Sequence, residues 1–251
     1  MPVPPEFART ASAPLALVTG GAKRIGAALA RALAEDGWRV AIHCNASRAE
    51  ADALAAELGA QVVQQDLAAP GCAQLLDRLD APPTLLVNNA SVFENDDLAS
   101  FTAASFDRHM AVNARAPALL TQAFAARLEG QGAVVNLLDA KLSFPNPDFL
   151  AYTVSKQAFA GFTELAARAL APRIRVNAIA PAVTLVSGPQ SRENFEAAHV
   201  LNPLKRGVDA EHLVAAMRFL LATPTLTGQT ITVDAGQRFL GLPRDVAYMV
   251  E

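Results

Sequence analysis

Seven short apolar runs punctuate this chain, most of them separated by stretches of helical spacing, and that alternation limits the fold more than any other feature. The runs are LALVTG from Leu15, RVAIHCN from Arg39, AQVVQQDL from Ala60, TLLVNNA from Thr84, GAVVNLLD from Gly132, IRVNAIAP from Ile174 and GQTITVDAG from Gly228. Several are continuously apolar rather than alternating, the pattern of strands covered on both faces. The stretches between them, RIGAALARALAEDG, SRAEADALAAELG, residues 101–128, AYTVSKQAFAGFTELAARALAP and AEHLVAAMRFLLAT, read as helices. Helical crossovers force parallel pairing, so the expected class is α/β: a doubly wound parallel sheet of about seven strands with helices on both faces.

No Pro-, Gly- or Ser-rich linker divides the chain, and no repeat is visible, so residues 14–251 are expected to form a single domain. The opening MPVPPEFARTASAP predicts a flexible arm over residues 1–13. Residues 184–208 lack clear periodicity after the sixth run and are expected to be an irregular substrate lid, with Phe195, His199 and Leu201 as closing side chains. The tail RFLGLPRDVAYMVE is expected to reach a neighbouring subunit, its Tyr248 serving in packing.

Composition narrows the function. A net charge of −3 argues against nucleic acid as partner, because a phosphate backbone demands a basic surface. Cys44 and Cys72 form neither a metal spacing nor a disulfide framework, and His43, His109, His199 and His212 are scattered, so no metal is expected. No apolar run reaches membrane-spanning length, and a cytoplasmic protein acting on a small molecule, with no membrane partner, is the expectation.

The loop VTGGAKRIG at 18–26 joins the first run to the first helix, where a Rossmann-type fold places a pyrophosphate. Gly20 and Gly21 can take backbone angles closed to other residues, Gly26 permits close packing, and the helix N-terminus offers N–H donors. Arg24 stands where a further glycine might be expected; with Lys23 it adds positive charge at the mouth, and Ile25 follows.

The end of the second run is HCNASR. An acidic residue there commonly accepts from the ribose hydroxyls of NAD and would repel a 2′-phosphate. Here His43, Asn45, Ser47 and Arg48 occupy the stretch and no carboxylate occurs before Glu50, so NADPH is favoured over NADH, with Ser47, Arg48 or Arg24 meeting the extra phosphate. Asp66, beside Leu67, is expected at the adenine, although a capping role suits it too.

Tyr152 and Lys156 lie four apart on one face of a helix. A buried ammonium beside a phenol favours phenolate, lowering the tyrosine pKa toward the range of general acid–base chemistry.

With TGGAKRIG, NNA at 88–90, VNA at 112–114, YTVSK and IRVNAIAP in place, the chain resembles the short-chain dehydrogenase/reductase family from Leu15 to Gly236. That resemblance implies hydride transfer from a nicotinamide, with Tyr152 as catalytic acid, Lys156 holding the nicotinamide ribose and tuning the tyrosine, and Asn113 anchoring a water that connects the lysine to solvent. Asn89, Ala90 and Pro181 would line the cofactor channel, and the family is most often tetrameric, so a homotetramer is implied.

Two positions depart from the family pattern. Asp139 stands where serine is usual, and Pro181-Ala182 replaces a Pro-Gly pair. Arginine in the glycine loop, NNASVF, Asp139 and YTVSK together resemble the pteridine reductase branch, which includes dihydromonapterin reductases. By that likeness Arg24 and Ser91 would contact a pterin, Phe93 would stack on its ring, and Asp139 would help Tyr152 deliver a proton to a ring nitrogen. The chemistry agrees: reducing C=N needs a proton at nitrogen as hydride reaches carbon, and a carboxyl beside the phenol can resupply it. The rival expectations are a carbonyl reductase of the same fold, acting on a 3-oxoacyl thioester or another ketone, and a non-catalytic NADP-binding scaffold.

Overall fold

The computed structural model describes residues 2–4, 6–7, 13–186 and 190–250. Seven parallel strands form one sheet in the order β3-β2-β1-β4-β5-β6-β7. They are β1 (Leu15–Val18), β2 (Arg39–Cys44), β3 (Gln61–Gln64), β4 (Leu85–Asn88), β5 (Gly132–Leu137), β6 (Ile174–Pro181) and β7 (Thr230–Val233). Each coincides with one of the seven apolar runs, and every neighbouring pair is parallel.

The alternation of side chains along β1 divides the core. Ala16 and Val18 face a layer built from α1 (Arg24–Glu35), α2 (Arg48–Leu58) and α7 (Ala210–Ala222), including the buried Leu29, Leu33, Leu54 and Met217. Leu15 and Leu17 face the opposite layer, where Leu120 and Phe124 of α4 (Ala116–Arg127) pack with Ala166 and Ala167 of α5 (Leu150–Leu170). Each fully buried leucine or phenylalanine contributes about 1.5–3 kcal/mol relative to exposure, which holds both layers on the sheet.

The helix expected over 101–128 is less regular than its sequence suggests. α3 (Ala103–Met110) passes through a π-helical turn, Ala111–Arg115, before continuing as α4. The wider turn carries the buried Asn113, and such interruptions recur where a helix must aim a particular side chain.

Two expectations change, and the tail makes contacts within its own chain. In the expected arm, Phe7 is buried against Trp38 with ring centroids 5.2 Å apart, and Glu6 pairs with Arg175 at 2.8 Å, so these two residues are docked rather than loose; residues 1, 5 and 8–12 lie outside the described residues. The region 184–208 is not wholly irregular, because α6 (Arg192–His199) forms within it, capped by Ser191, whose oxygen accepts from the Asn194 N–H; residues 187–189 lie outside the described residues. The tail folds back over its own chain: Asn194 donates to the carbonyls of Ala247 and Val250.

Candidate active site

Strand order reverses direction at β1, since β2 leads one way and β4 the other. A crevice opens beyond the strand ends at such a point, and here it is a cleft of about 1330 Å³. On one side lies the glycine loop. Gly20 has φ +60°, and a Cβ there would press on the Ala90 backbone at 3.0 Å. A Cβ at Gly26 would overlap the Gly20 carbonyl oxygen and meet Asn89 Nδ2 at 2.7 Å. Asn89 keeps the loop in place by donating to the carbonyls of Thr19 and Gly20. The first turn of α1 holds no acidic side chain and its N-terminus has no side-chain cap, so its N–H donors suit a pyrophosphate.

Gly20, Lys23, Arg24 and Ile25 line the cleft as expected, and Arg24 adopts φ +57°, the left-handed region that usually selects glycine at that point. Its guanidinium donates to the carbonyls of Val186 (2.6 Å) and Leu185 (3.4 Å), clamping the glycine loop to the segment after β6.

At the adenosine end the expectations divide. His43, Asn45, Asp66 and Leu67 line the cleft, and Ser47 and Arg48 do not. Arg48 forms a helical pair with Asp52 at 2.8 Å and borders a shallow depression that shares Asn45 and Asp66 with the cleft. His43 is a strut: Nδ1 accepts from the Gly20 N–H at 3.1 Å while Nε2 faces the Gln65 carbonyl at 2.9 Å, which places its proton on Nε2. Burial lowers its pKa from 6.5 and keeps it neutral. Asp66 Oδ1 accepts from the Ala68 N–H, the capping role, while the residue still borders the cleft.

Across the cleft, β5 ends at Leu137 and α5 begins at Leu150, bringing Asp139, Tyr152 and Lys156 together. The Tyr152 hydroxyl donates to Asp139 Oδ2 at 2.7 Å, and Asp139 Oδ1 accepts from the Lys141 N–H at 2.8 Å. Lys156 Nζ donates to the Leu137 carbonyl at 2.7 Å and lies 5.7 Å from the centre of the Tyr152 ring. Enclosure among protein atoms raises the Asp139 pKa even though the residue keeps a partly exposed edge on the cleft. Burial lowers Lys156 to about 8, with the charge of Asp139 opposing the fall.

The expected lowering of the Tyr152 pKa is corrected. Burial first, then the negative charge and hydrogen bond of Asp139, push it well above 10. The carboxylate, hydrogen-bonded at 2.7 Å, is the charge nearest the phenol. Unassisted phenolate is therefore disfavoured, and the pair is suited to holding a proton rather than shedding one.

Asn113 sits beneath the cleft rather than on its wall. Its Oδ1 accepts from the Val92 N–H (2.8 Å) and the Ser91 hydroxyl (3.2 Å), and its Nδ2 donates to the Val92 carbonyl and to Ser155 Oγ. It thus positions the Ser91–Phe93 wall.

Phe93 is 41 % exposed and borders the cleft; one face lies against Phe149 (4.2 Å, 19°), and Tyr152 meets it edge-on (4.7 Å, 85°). Ser91, Pro181 and Ala90 also line the walls. Ala182 replaces the expected glycine without strain, since its φ is not positive and its N–H donates to the Val233 carbonyl.

Several site residues escaped the sequence. Buried Asp96 accepts from the Ala151 N–H at 3.1 Å and its carbonyl from Phe149, capping the first turn of α5 and orienting Tyr152. Phe149 supplies an aromatic wall at φ +54°. In the segment after β6, Gln190, Ser191 and Asn194 line the cleft, whereas Phe195 stacks on His199 and neither they nor Leu201 line it.

A family model described as enoyl-(acyl carrier protein) reductase matches residues 20–238. Pteridine reductase 1 of Leishmania tarentolae is 32% identical over 279 residues, covering 90% of this chain and 96% of its own. A 3-oxoacyl-[acyl-carrier-protein] reductase of a Synechocystis species is also 32% identical, over 246 residues, covering 90% and 97%. Among solved structures, FolM alternative dihydrofolate reductase 1 of Brucella suis in complex with NADP superimposes with a TM-score of 0.87 at 40% identity, covering 90% of this chain and 95% of that one.

Proposed function

This chain belongs to the short-chain dehydrogenase/reductase family and is an NADPH-dependent reductase, and from that premise we propose that it reduces the C=N bond of a pteridine or dihydropteridine. The observation that carries the reading is the 2.7 Å contact between Tyr152 and Asp139 on a cleft wall that also presents the face of Phe93.

Gly20, Lys23, Arg24 and the first turn of α1 would hold the pyrophosphate of the cofactor, with Asn45, Asp66 and Leu67 at its adenosine end and Asn89, Ala90, Lys156 and Pro181 toward the nicotinamide. When bound, the reduced nicotinamide supplies hydride to the ring carbon. Tyr152 donates its proton to the neighbouring nitrogen, and Asp139, after taking up a proton from solvent at its open edge on the cleft, refills the phenol through the same short contact. The raised pKa of Asp139 keeps that carboxyl able to carry a proton, and the raised pKa of Tyr152 draws the proton back. Lys156 supplies positive charge behind the phenol during the transfer. Phe93 provides a flat apolar face for the ring, and Ser91 and Arg24 polar contacts at its rim.

A carbonyl-reducing activity of the same fold is the second reading, favoured by the Synechocystis relative. The purified protein, given NADPH with dihydrobiopterin or dihydromonapterin and with a panel of ketones and 3-oxoacyl thioesters, separates the two. Pterin turnover is expected; turnover of ketones alone removes the pterin assignment, and NADPH binding without any oxidation removes both. Asp139→Ser should lower pterin reduction more than any carbonyl activity. The working assembly on this reading is a cytoplasmic homotetramer with residues 184–208 as lid, and light scattering on the purified protein tests the oligomer. Among the described residues no helix is long and apolar enough to cross a membrane.

A further inference from the structure

The last residues of the chain lie beyond the matched family region, which ends at 238, yet they border the cleft. Gly241, at φ +57° and with Phe144 3.3 Å from where a Cβ would stand, turns the chain back over the site. Three walls then fasten it. On the loop that carries Asp139, Lys141 Nζ donates to the Asp148 carbonyl and pairs with Asp245 at 3.5 Å, and Arg244 pairs with Asp148 at 2.8 Å. On the loop that carries Phe93, Asn95 Oδ1 accepts from the Tyr248 hydroxyl at 3.0 Å. On α6, Asn194 holds the carbonyls of Ala247 and Val250.

This fastening sets one aromatic ring. Tyr248 lies nearly parallel to Phe149 (12°, centroids 6.1 Å apart), and Phe149 is in turn parallel to Phe93 within 19°. Tyr248 is 45 % exposed and borders the cleft, with the Arg244 guanidinium 5.1 Å from its ring centre, so it offers a partly open aromatic wall to a ligand in the cleft. A tail needed only for packing would bury its aromatic ring; here Val246 is the buried anchor and Tyr248 is left facing the cavity.

We propose that residues 244–250 form part of the substrate site of their own chain, with Tyr248 as a specificity-determining wall for planar bicyclic ligands and the Lys141–Asp245 contact as the positioning element that sets it. The inference rests on the pterin reading for the identity of the ring, and adds where and by which segment the ring is held. Lys141 and Asp245 act through Tyr248 and not on the reacting atoms.

The test is equilibrium binding of dihydrobiopterin to the NADP-loaded protein by fluorescence quenching, read beside turnover with NADPH. Tyr248→Ala should weaken binding by about five- to tenfold, the scale of one lost aromatic contact, and raise KM with kcat nearly unchanged. Tyr248→Phe should bind far closer to the parent than Tyr248→Ala does, since the ring remains and only the Asn95 contact is lost. Lys141→Met should shift KM in the same direction as Tyr248→Ala, and Lys141→Arg should restore it. Affinity for NADPH should not move in any of them. Equal dihydrobiopterin affinity in Tyr248→Ala and parent overturns the role of the tail while pterin turnover by the parent leaves the functional reading standing. A parent that binds dihydrobiopterin through Tyr248 without reducing it sinks the catalytic reading and keeps the tail; one that does not bind it sinks both.

Discussion

The Tyr152 hydroxyl donates to Asp139 Oδ2 across 2.7 Å; burial and the carboxylate raise the pKa of the phenol, while burial raises that of Asp139 against the lowering effect of the donated bond. A serine in place of Asp139 would stabilise an oxygen but could not store a proton. The pair therefore suits a reaction that consumes a proton at nitrogen, with Lys156 close enough to steady the phenol as its proton leaves.

Removing the phenolic oxygen should separate binding from chemistry. Tyr152→Phe keeps the ring that meets Phe93 edge-on and loses only the donor. We expect kcat to fall by about 10²–10⁴-fold, the usual range for a positioned general acid, with NADPH affinity retained. Stopped-flow single turnover and a fluorescence titration of NADPH measure the two quantities. A variant with near-parental kcat would place the proton donor elsewhere.

The alkaline limb of the rate profile should report Lys156. Its pKa is lowered to about 8 by burial and supported by the negative charge of Asp139. Activity that needs the ammonium is present below that value and lost as pH rises through it. Removing Asp139 removes the upward support, so in Asp139→Ser the limb should move to lower pH. An unmoved limb in the pH dependence of kcat/KM would assign it to another group.

Close approach at the glycine loop should be intolerant of one methyl group. The Cβ of Gly26→Ala would collide with the Gly20 carbonyl and displace Asn89, which holds the loop. The expected cost is about 1–3 kcal/mol of stability, typical of overpacking, together with a larger loss of NADPH affinity because the donors at the start of α1 shift. Urea midpoints and NADPH titrations measure both, and an unchanged affinity would mean the loop does not meet the pyrophosphate.

The fold was legible because its signals are local. Continuous apolar runs mark strands covered on both sides, and the i, i+4 spacing put Tyr152 and Lys156 on one face before any tertiary contact was known. What stayed hidden depends on partners distant in sequence. Asp96 caps α5 from the segment between β4 and α3, and no local pattern ties it to Ala151. Asp245 meets Lys141 only because the tail turns back at Gly241. α6 is short and charged, held partly by the Arg192–Glu196 pair, so apolar periodicity missed it, although Ser191 followed by Asn194 was a readable start. The direction of the Tyr152 shift depends on burial and on Asp139, a carboxylate thirteen residues away in the chain that folding brings within 2.7 Å of the phenol.

His43 supplies a test of how the loop is supported. Its ring joins the Gly20 N–H to the Gln65 carbonyl, and burial lowers its pKa below the ordinary 6.5. In the unfolded chain the same imidazole takes up a proton as pH falls below about 6.5, while the folded form stays neutral over a range further down. The unfolded state then binds more protons, so this residue's contribution to stability is complete above 6.5 and is lost on acidification, with a slope approaching about 1.4 kcal/mol per pH unit. His43→Leu has no such proton, but strands the Gly20 N–H at a cost of about 1–3 kcal/mol. The parent should therefore be the more stable at pH 7.5, with its advantage shrinking toward pH 5.5. Urea unfolding of both proteins at the two pH values measures the gap; a gap that stays constant would mean His43 is not held neutral in the fold.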